Sequence, residues 1–545
     1  MWRSPARGWA LLAVPCLAIL SLAPSAAGSP RKTGGQKLPK RLVIGVRGDI
    51  SSFNLYTATN AFSQDVIDLL DLKLAEEQGD FDQGPPSFRP ALATSWKFSS
   101  DGLTLTLNLD RKAKWSDGEP VTSADVLFTH RAATSPEVGW VGSDVKEAIT
   151  SMTAPGPHTV LVRFKSVYPY QLMDTVEGNI LPFHVYGKVP FNEWSKSAFL
   201  DASVGSGPFR LKRYERGALI ELERNPEYLR APLPRLDSVV FRILPDDTAL
   251  VNELLTGGID FMENVPVEAL PKIRSDPRLS LTRVPDLSYT FISWNTSRPL
   301  FSDARVRRAL TQAIDPQAII EGLLPASGRP SSGPILSFMW AYDPSLKPLP
   351  YDPEAARKLL REAGWEDRDH DGVLDRDGKP FRFELETNQG STLRADVVQM
   401  VSEQLRGVGI EAVPRTFEFG AFVERHEKHE YDAFVSSWRE STKVDLKSAF
   451  HSDSRRGGYN YGLYSNPELD GIVDRARGEK DREAARLLWW QAQQIVARDQ
   501  PCTFLFERDR INAVPRNLRG LSPTPRSAYA GLEEWFLESQ AKGAP

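Results

Sequence analysis

The alternation of apolar and polar positions first becomes regular at Leu42-Val43-Ile44-Gly45-Val46, an apolar run bounded by charge that predicts a strand. After Asp101-Gly102, residues Leu103, Leu105, Leu107 and Leu109 alternate with Thr104, Thr106 and Asn108. A period of two behind a dipeptide that tolerates positive φ predicts a hairpin with one buried and one wet face. Trp115-Ser116-Asp117-Gly118 makes another turn. In Thr122-Ser123-Ala124-Asp125 a hydroxyl and an acid stand at the spacing that caps a helix start.

The second half alternates helical and strand periods. Asp352-Pro353 predicts the cap and first-turn proline of a helix that stops at Gly364. Residues 381–386 read as a strand, and 392–405, with Val397, Val398, Val401 and Leu405 on one face, as a helix ending at Gly407. Strands follow at 410–413 and 431–438. Asn466-Pro467 caps another helix, and 481–497 predicts an amphipathic one burying Leu487, Leu488, Trp490, Ile495 and Val496. This succession predicts βαβ units around a mixed or parallel sheet.

A chain of 545 residues, 41% hydrophobic and 25% charged, is too long for one core and predicts two or three domains. Residues 1–28 have the pattern of an export signal: Arg3 and Arg7, an apolar run over 9–23, then Ser25, Ala26, Ala27 and Gly28. That run is shorter than the roughly 20 residues a membrane span needs. Cys16 raises the rival reading of a lipid anchor, but Pro15 stands where a lipoprotein signal has a small residue, so a periplasmic protein is expected. Cleavage would lose two arginines and no acid, taking the net charge from −4 to −6. Nothing in that balance calls for nucleic acid. Residues 29–40 are poor in large apolar side chains and predict a flexible tether. Cys502, left alone once the leader is removed, sits in an apolar run and reads as a small core residue.

Candidate chemistry is sparse. His426-Glu427-Lys428-His429-Glu430 places two histidines at i and i+3 rather than the i and i+4 of a zinc protease helix, inside a charged run, and reads as a solvated helix end. No nucleophile elbow, phosphate loop or dinucleotide fingerprint appears. Asp367, Asp369 and Asp371, with Gly372 at the sixth position and Asp375 beyond, match the start of a loop that could hold a structural calcium ion. Its twelfth position is Gly378 instead of a bidentate Glu, so a plain polar turn is the competing reading.

Several segments in order resemble the extracellular solute-binding proteins of family 5, the oligopeptide-, dipeptide- and nickel-binding receptors of bacterial ABC importers. They are Pro90 to Trp96 with Asp101-Gly102; Lys114-Trp115-Ser116-Asp117-Gly118 through Val126; Gly205-Ser206-Gly207-Pro208-Phe209 with Glu223 to Tyr228; Asn295 followed by Phe301 to Leu310; and Tyr464-Ser465-Asn466-Pro467-Glu468-Leu469-Asp470. The resemblance implies an α/β chain of the type II periplasmic-binding-protein fold, two hinged lobes plus an inserted domain. Lobe I would combine 41–60, 204–286 and 502–537, the inserted domain 61–203, and lobe II 287–501.

By the same resemblance the protein is a monomeric, non-enzymatic receptor that delivers a peptide or peptide-like ligand to a membrane permease. A metal chelate, haem or sugar is the alternative ligand, and a secreted hydrolase the remoter one. Trp438 stands where peptide-binding relatives carry a ligand-facing Trp. The Asp that pairs with the peptide amine three positions later is here Ser441. Arg439 and Glu440 are the charges beside that gap, and Asn460 and Tyr461 are further cleft candidates by family position.

Overall fold

In the computed structural model residues 40–194 and 204–538 are described. The expected export signal and all of the tether but Lys40 lie outside them. Among the described residues no helix is long and apolar enough to cross a membrane.

The architecture is organised by one eleven-stranded mixed sheet. From one edge the strands run Glu411–Phe417, Arg382–Asn388, Ala433–Arg439, Leu279–Trp294 and Cys502–Pro515, and continue through Phe261–Met262, Arg41–Val46, Ser238–Ile243, Leu219–Arg224 and Phe209–Glu215; the eleventh, Gly328–Pro330, pairs with Cys502–Pro515 off this path. The first three pair in parallel, as do Arg41–Val46 and its two neighbours; the rest is antiparallel. Leu279–Trp294 and Cys502–Pro515, 16 and 14 residues long, are members of both halves. Their ladder holds from Leu279↔Pro515 to Pro285↔Asp509 and resumes at Tyr289↔Glu507. In between, Asp286, Leu287 and Ser288 stand opposite Arg508 alone, a bulge at the junction of the two halves.

Each half has its own core. Along Ala433–Arg439, Ala433 and Val435 face a cluster with Trp294, Phe383 and Val401, whereas Phe434 faces one with Phe422, Tyr464 and Trp489. A strand covered on both faces reads as a nearly continuous apolar run, as this one does. The other half packs Ile44, Phe209, Leu222 and Phe241 around Trp535. A separate four-stranded antiparallel sheet contains the expected hairpin: Gly102 has φ +71°, and Leu105, Leu107 and Leu109 are buried.

The predicted helix starts form as the side chains dictate. Thr122 and Asp125 make a reciprocal capping box, the Thr122 amide donating to Asp125 at 2.7 Å. Asp352, Ser391, Asn466 and Asp481 accept backbone amides at the starts of Pro353–Glu362, Thr392–Arg406, Pro467–Gly478 and Arg482–Asp499. The last of these departs from expectation in its buried face. Leu487 is 52% exposed, Leu488 and Trp490 are only partly buried, and the inner stripe is Ala485, Trp489, Ala492 and Val496. Those positions follow the helical period, which the apolar count alone did not phase.

The Gly205-Ser206-Gly207 segment is explained by backbone crowding. A Cβ on Gly207 would lie 2.6 Å from the Leu69 carbonyl oxygen and 2.8 Å from the Asp71 nitrogen, both main-chain atoms that cannot turn aside. The Gly207 amide donates to the Leu70 carbonyl at 2.7 Å, and the Asn225 amide group donates to the Gly207 carbonyl. We predict that Gly207→Ala lowers the urea unfolding midpoint by the equivalent of about 1–3 kcal/mol, the range for overpacking a filled site. A midpoint equal to wild type would show that this contact is loose.

Candidate functional site

The bulge opens into a cavity of about 640 Å³, a size suited to a small ligand. Arg439, Glu440, Ser441 and Lys443 reach it from the end of Ala433–Arg439, Asp286, Arg508 and Arg510 from the bulge, and Arg47, Asp65, Asp174 and Glu263 from the opposite side. A hydrogen bond from the Glu440 amide to the Leu287 carbonyl, 2.7 Å, ties the first group to the bulge.

Most acids here already have partners. Lys443 bridges the cleft to Asp174, both carboxylate oxygens lying at 3.2 Å. Arg526 donates to Glu77 at 2.7 Å and to Glu177 at 2.9 Å. Burial alone would raise the Glu177 carboxyl, but Arg526, Lys73 and Lys146 hold it down at about 2. Arg510 donates to Glu263 at 2.9 Å. Asp65 accepts from Ser527 and is pushed up to about 7 by burial and by the charge of Glu263. Glu440 is pushed up to about 8, chiefly by burial, with the Tyr289 hydroxyl drawing it partway back. At neutral pH Glu440 is therefore largely uncharged, an unsuitable replacement for the Asp missing at Ser441. The Ser441 hydroxyl, exposed at the cleft, accepts the Lys443 amide.

Strand geometry divides the candidates that sequence adjacency had grouped. Successive side chains point to opposite faces, so Trp438 leaves the cleft that Arg439 enters. It lines a second, aromatic cavity of about 220 Å³ with Phe419, Phe422, Tyr459 and Tyr461. The Trp438 ring meets Tyr459 edge to face at 4.9 Å, and Tyr459 is 53% exposed. Asn460 borders this cavity too, but its amide group donates to the His451 and Tyr464 carbonyls and its oxygen accepts the Tyr464 amide. It builds the turn and has little left to offer a ligand.

His426 is a correction to the sequence reading. It is no solvated helix end: it is buried, stacked on Phe434 at 4.0 Å and wedged against Phe422, and burial lowers it to about 3. Its charged neighbours point outward while one face of Phe419–Glu427 packs on the sheet, which the local charge run concealed. Cys502 is buried as expected, and burial pushes its thiol up to about 12.

The acidic loop is partly assembled. Carboxylate oxygens of Asp367, Asp369 and Asp371 lie within 4.8 Å of one another. Asp375 does not join them, because its carboxylate accepts the Arg368 amide at 3.2 Å within a short strand pairing.

Sequence reading missed Asp286, Arg508 and Arg510. The one local signal was Glu507-Arg508-Asp509-Arg510, alternating charge inside an otherwise apolar strand. The fold explains it: Arg508 and Arg510 face the cleft, and Glu507 and Asp509 turn to the other side, where Arg329 pairs with both.

A family model for bacterial extracellular solute-binding proteins, family 5, matches residues 87–458. The oligopeptide-binding protein AppA of Bacillus subtilis is 33% identical over 95% of this chain and 94% of its own. Heme-binding protein A of Haemophilus influenzae is 26% identical over 82% of each chain. The solved structure of the Bacillus subtilis AppA in complex with a nonapeptide superposes with a TM-score of 0.78 at 32% identity, covering 92% of this chain and all of that one.

Two predictions follow from the site's geometry. Glu440 is protonated in the folded protein and ionised in the unfolded chain between roughly pH 4.5 and 8, so it removes stability as pH rises through that window. Glu440→Gln is expected to flatten the fall and to be the more stable form at pH 9 in urea melts; parallel curves for the two proteins would count against the shift. For the acidic loop, calcium is expected to raise the Tm of chelator-treated protein, and Asp369→Ala to abolish the rise. No rise in wild type leaves the loop a polar turn.

Proposed function

Because the chain belongs to family 5 of the bacterial extracellular solute-binding proteins, we propose that it is the exported receptor of an ABC-type importer, capturing a peptide between its lobes and presenting it to a permease. The observation that carries this reading is the placement of the cleft at the bulge of the two strands shared by both halves. A ligand there touches both lobes at once, so occupancy and lobe closure are the same event. Similarity to AppA over nearly the whole chain supports a peptide as that ligand. The cleft acids Asp174, Glu177 and Glu263 are engaged by Lys443, Arg526 and Arg510, as suits a binding surface.

Closure has identifiable latches. Lys443 to Asp174 crosses the cleft mouth, and Lys443 also lies 5.2 Å from the centroid of Tyr170. Separation of the lobes must break this pair and expose Asp174, whose carboxyl is raised by burial. Periplasmic residence and action as a monomer belong to the same proposal.

Native mass spectrometry of protein purified without refolding is expected to find a bound peptide, and its removal to increase the radius of gyration in X-ray scattering. Trp438→Ala is expected to lower thermal stability and to leave rebinding in the cleft unchanged, since its partly buried ring packs in the aromatic cavity behind the cleft. Identical scattering curves with and without peptide would sink the closure mechanism. Weakened rebinding with unchanged thermal stability would instead extend the ligand site into that aromatic cavity.

A further inference from the structure

The charges around the bulge do not cancel. Asp286 is 4% exposed. Its Oδ2 accepts the Ser288 hydroxyl at 3.0 Å and Arg508 Nε at 3.2 Å. Its Oδ1 makes no hydrogen bond, with Arg439 Nη1 at 3.8 Å and Arg510 Nε at 4.0 Å. Arg510 is matched by Glu263 and by the Thr524 and Pro525 carbonyls. Arg439 and Arg508 are not matched in this way. Beyond Asp286, Arg439 makes a single 3.3 Å contact to the Arg526 carbonyl. Each guanidinium carries five N–H donors, and these two side chains remain 51% and 41% exposed at the cleft.

Further positive charge stands behind them. Arg394, in the first turn of Thr392–Arg406, is depressed by burial and by the like charge of Arg508, and its Nε has no partner. Arg439 and Arg508 therefore share one buried carboxylate, Asp286. The acids of the same strand cannot help, because Glu507 and Asp509 face the other side with Arg329. The cleft acids Asp174, Glu177 and Glu263 are held by Lys443, Arg526 and Arg510. Lobe closure around such a patch would strip water from guanidiniums that lack an anion, a costly state.

We propose that Arg439 and Arg508, oriented by Asp286 at the hinge bulge, form a carboxylate-binding subsite of the cleft. This rests on the peptide-receptor reading and narrows it: the bound peptide is anchored by an anionic group, from its C-terminus or from an acidic side chain, and not by its amine. Planar guanidiniums receive a carboxylate through paired N–H donors, the strongest common arrangement for this anion. Asp286 holds the two arginines in place from below and is a positioning residue. With Ser441 supplying only a hydroxyl, the subsite reverses the polarity that an Asp at that position would impose.

The test uses the full exported chain, stripped of ligand, and three random-sequence peptide pools: free C-terminus, C-terminally amidated, and amidated without Asp or Glu. The acid-free amidated pool is expected to bind at least about tenfold more weakly than the free-acid pool, a charge-assisted pair being lost. The amidated pool that keeps Asp and Glu identifies the source: weak binding points to the C-terminus, full binding to acidic side chains. Arg439→Gln and Arg508→Gln should each lose affinity for the free-acid pool by a similar factor and lose nothing for the acid-free pool. Three pools bound alike by wild type would overturn the subsite, as would variants equally weak towards every pool. Should Arg508→Gln fail to fold, Arg439→Gln, half exposed, carries the comparison. If no pool binds, the peptide reading has failed, and citrate tests the subsite separately. A citrate-induced rise in Tm in wild type that is absent in Arg439→Gln sustains it, and equal behaviour of the two proteins overturns it.

Discussion

The structure depends on the antiparallel pairing of Leu279–Trp294 with Cys502–Pro515. These two strands hold the halves of the sheet together from within, and their register shifts twice, at Asp286 to Ser288 and again between Thr290 and Phe291. Where Asp286, Leu287 and Ser288 face Arg508 alone, the regular pairing of the two strands lapses and the side chains are aimed away from the regular pleat. The irregularity at the junction of the two halves also lines the cavity.

Electrostatics at the defect follows from the period of the strand. Glu507-Arg508-Asp509-Arg510 would be a neutral tetrapeptide in a flexible chain. Within a sheet it is sorted into an acidic face and a basic face, and Arg329, on the adjoining strand Gly328–Pro330, with Ser337 neutralises only the acidic one, Ser337 donating to Glu507 at 2.6 Å. The basic face is left to the cleft. Across it, burial keeps Glu440 and Asp65 closer to their neutral forms, so the ligand meets more positive charge than the list of ionisable residues suggests.

The aromatic cavity behind the cleft follows the same alternation. Phe434 and Trp438 project to the face opposite Val435 and Arg439, where His426 stacks on Phe434, Phe422 meets Phe434 edge to face and Tyr459 meets Trp438 edge to face. A neutral imidazole there behaves as one more flat ring. The cleft residues are thereby mounted on a strand whose other face is firmly packed, which limits how far they shift when a ligand enters.

Local rules written along the chain decided much of this. The leucine alternation after Gly102, the capping box at Thr122 and Asp125 and the Asx caps at Asp352 and Asn466 depend on neighbours a few residues away, so they could be read from order alone. The family landmarks likewise identified the fold. The resemblance pointed to the stretch Arg439 to Ser441, and these residues line the cavity at the bulge. Tertiary structure decided the rest, for a physical reason: Asp286 and Arg508 are 222 residues apart and meet only because two long strands pair with a bulge in register. No local periodicity encodes which charge will lack a partner. The same holds for His426, placed in the core by packing despite its charged surroundings, and for Trp438 and Arg439, neighbours in sequence that the pleat sends into different cavities.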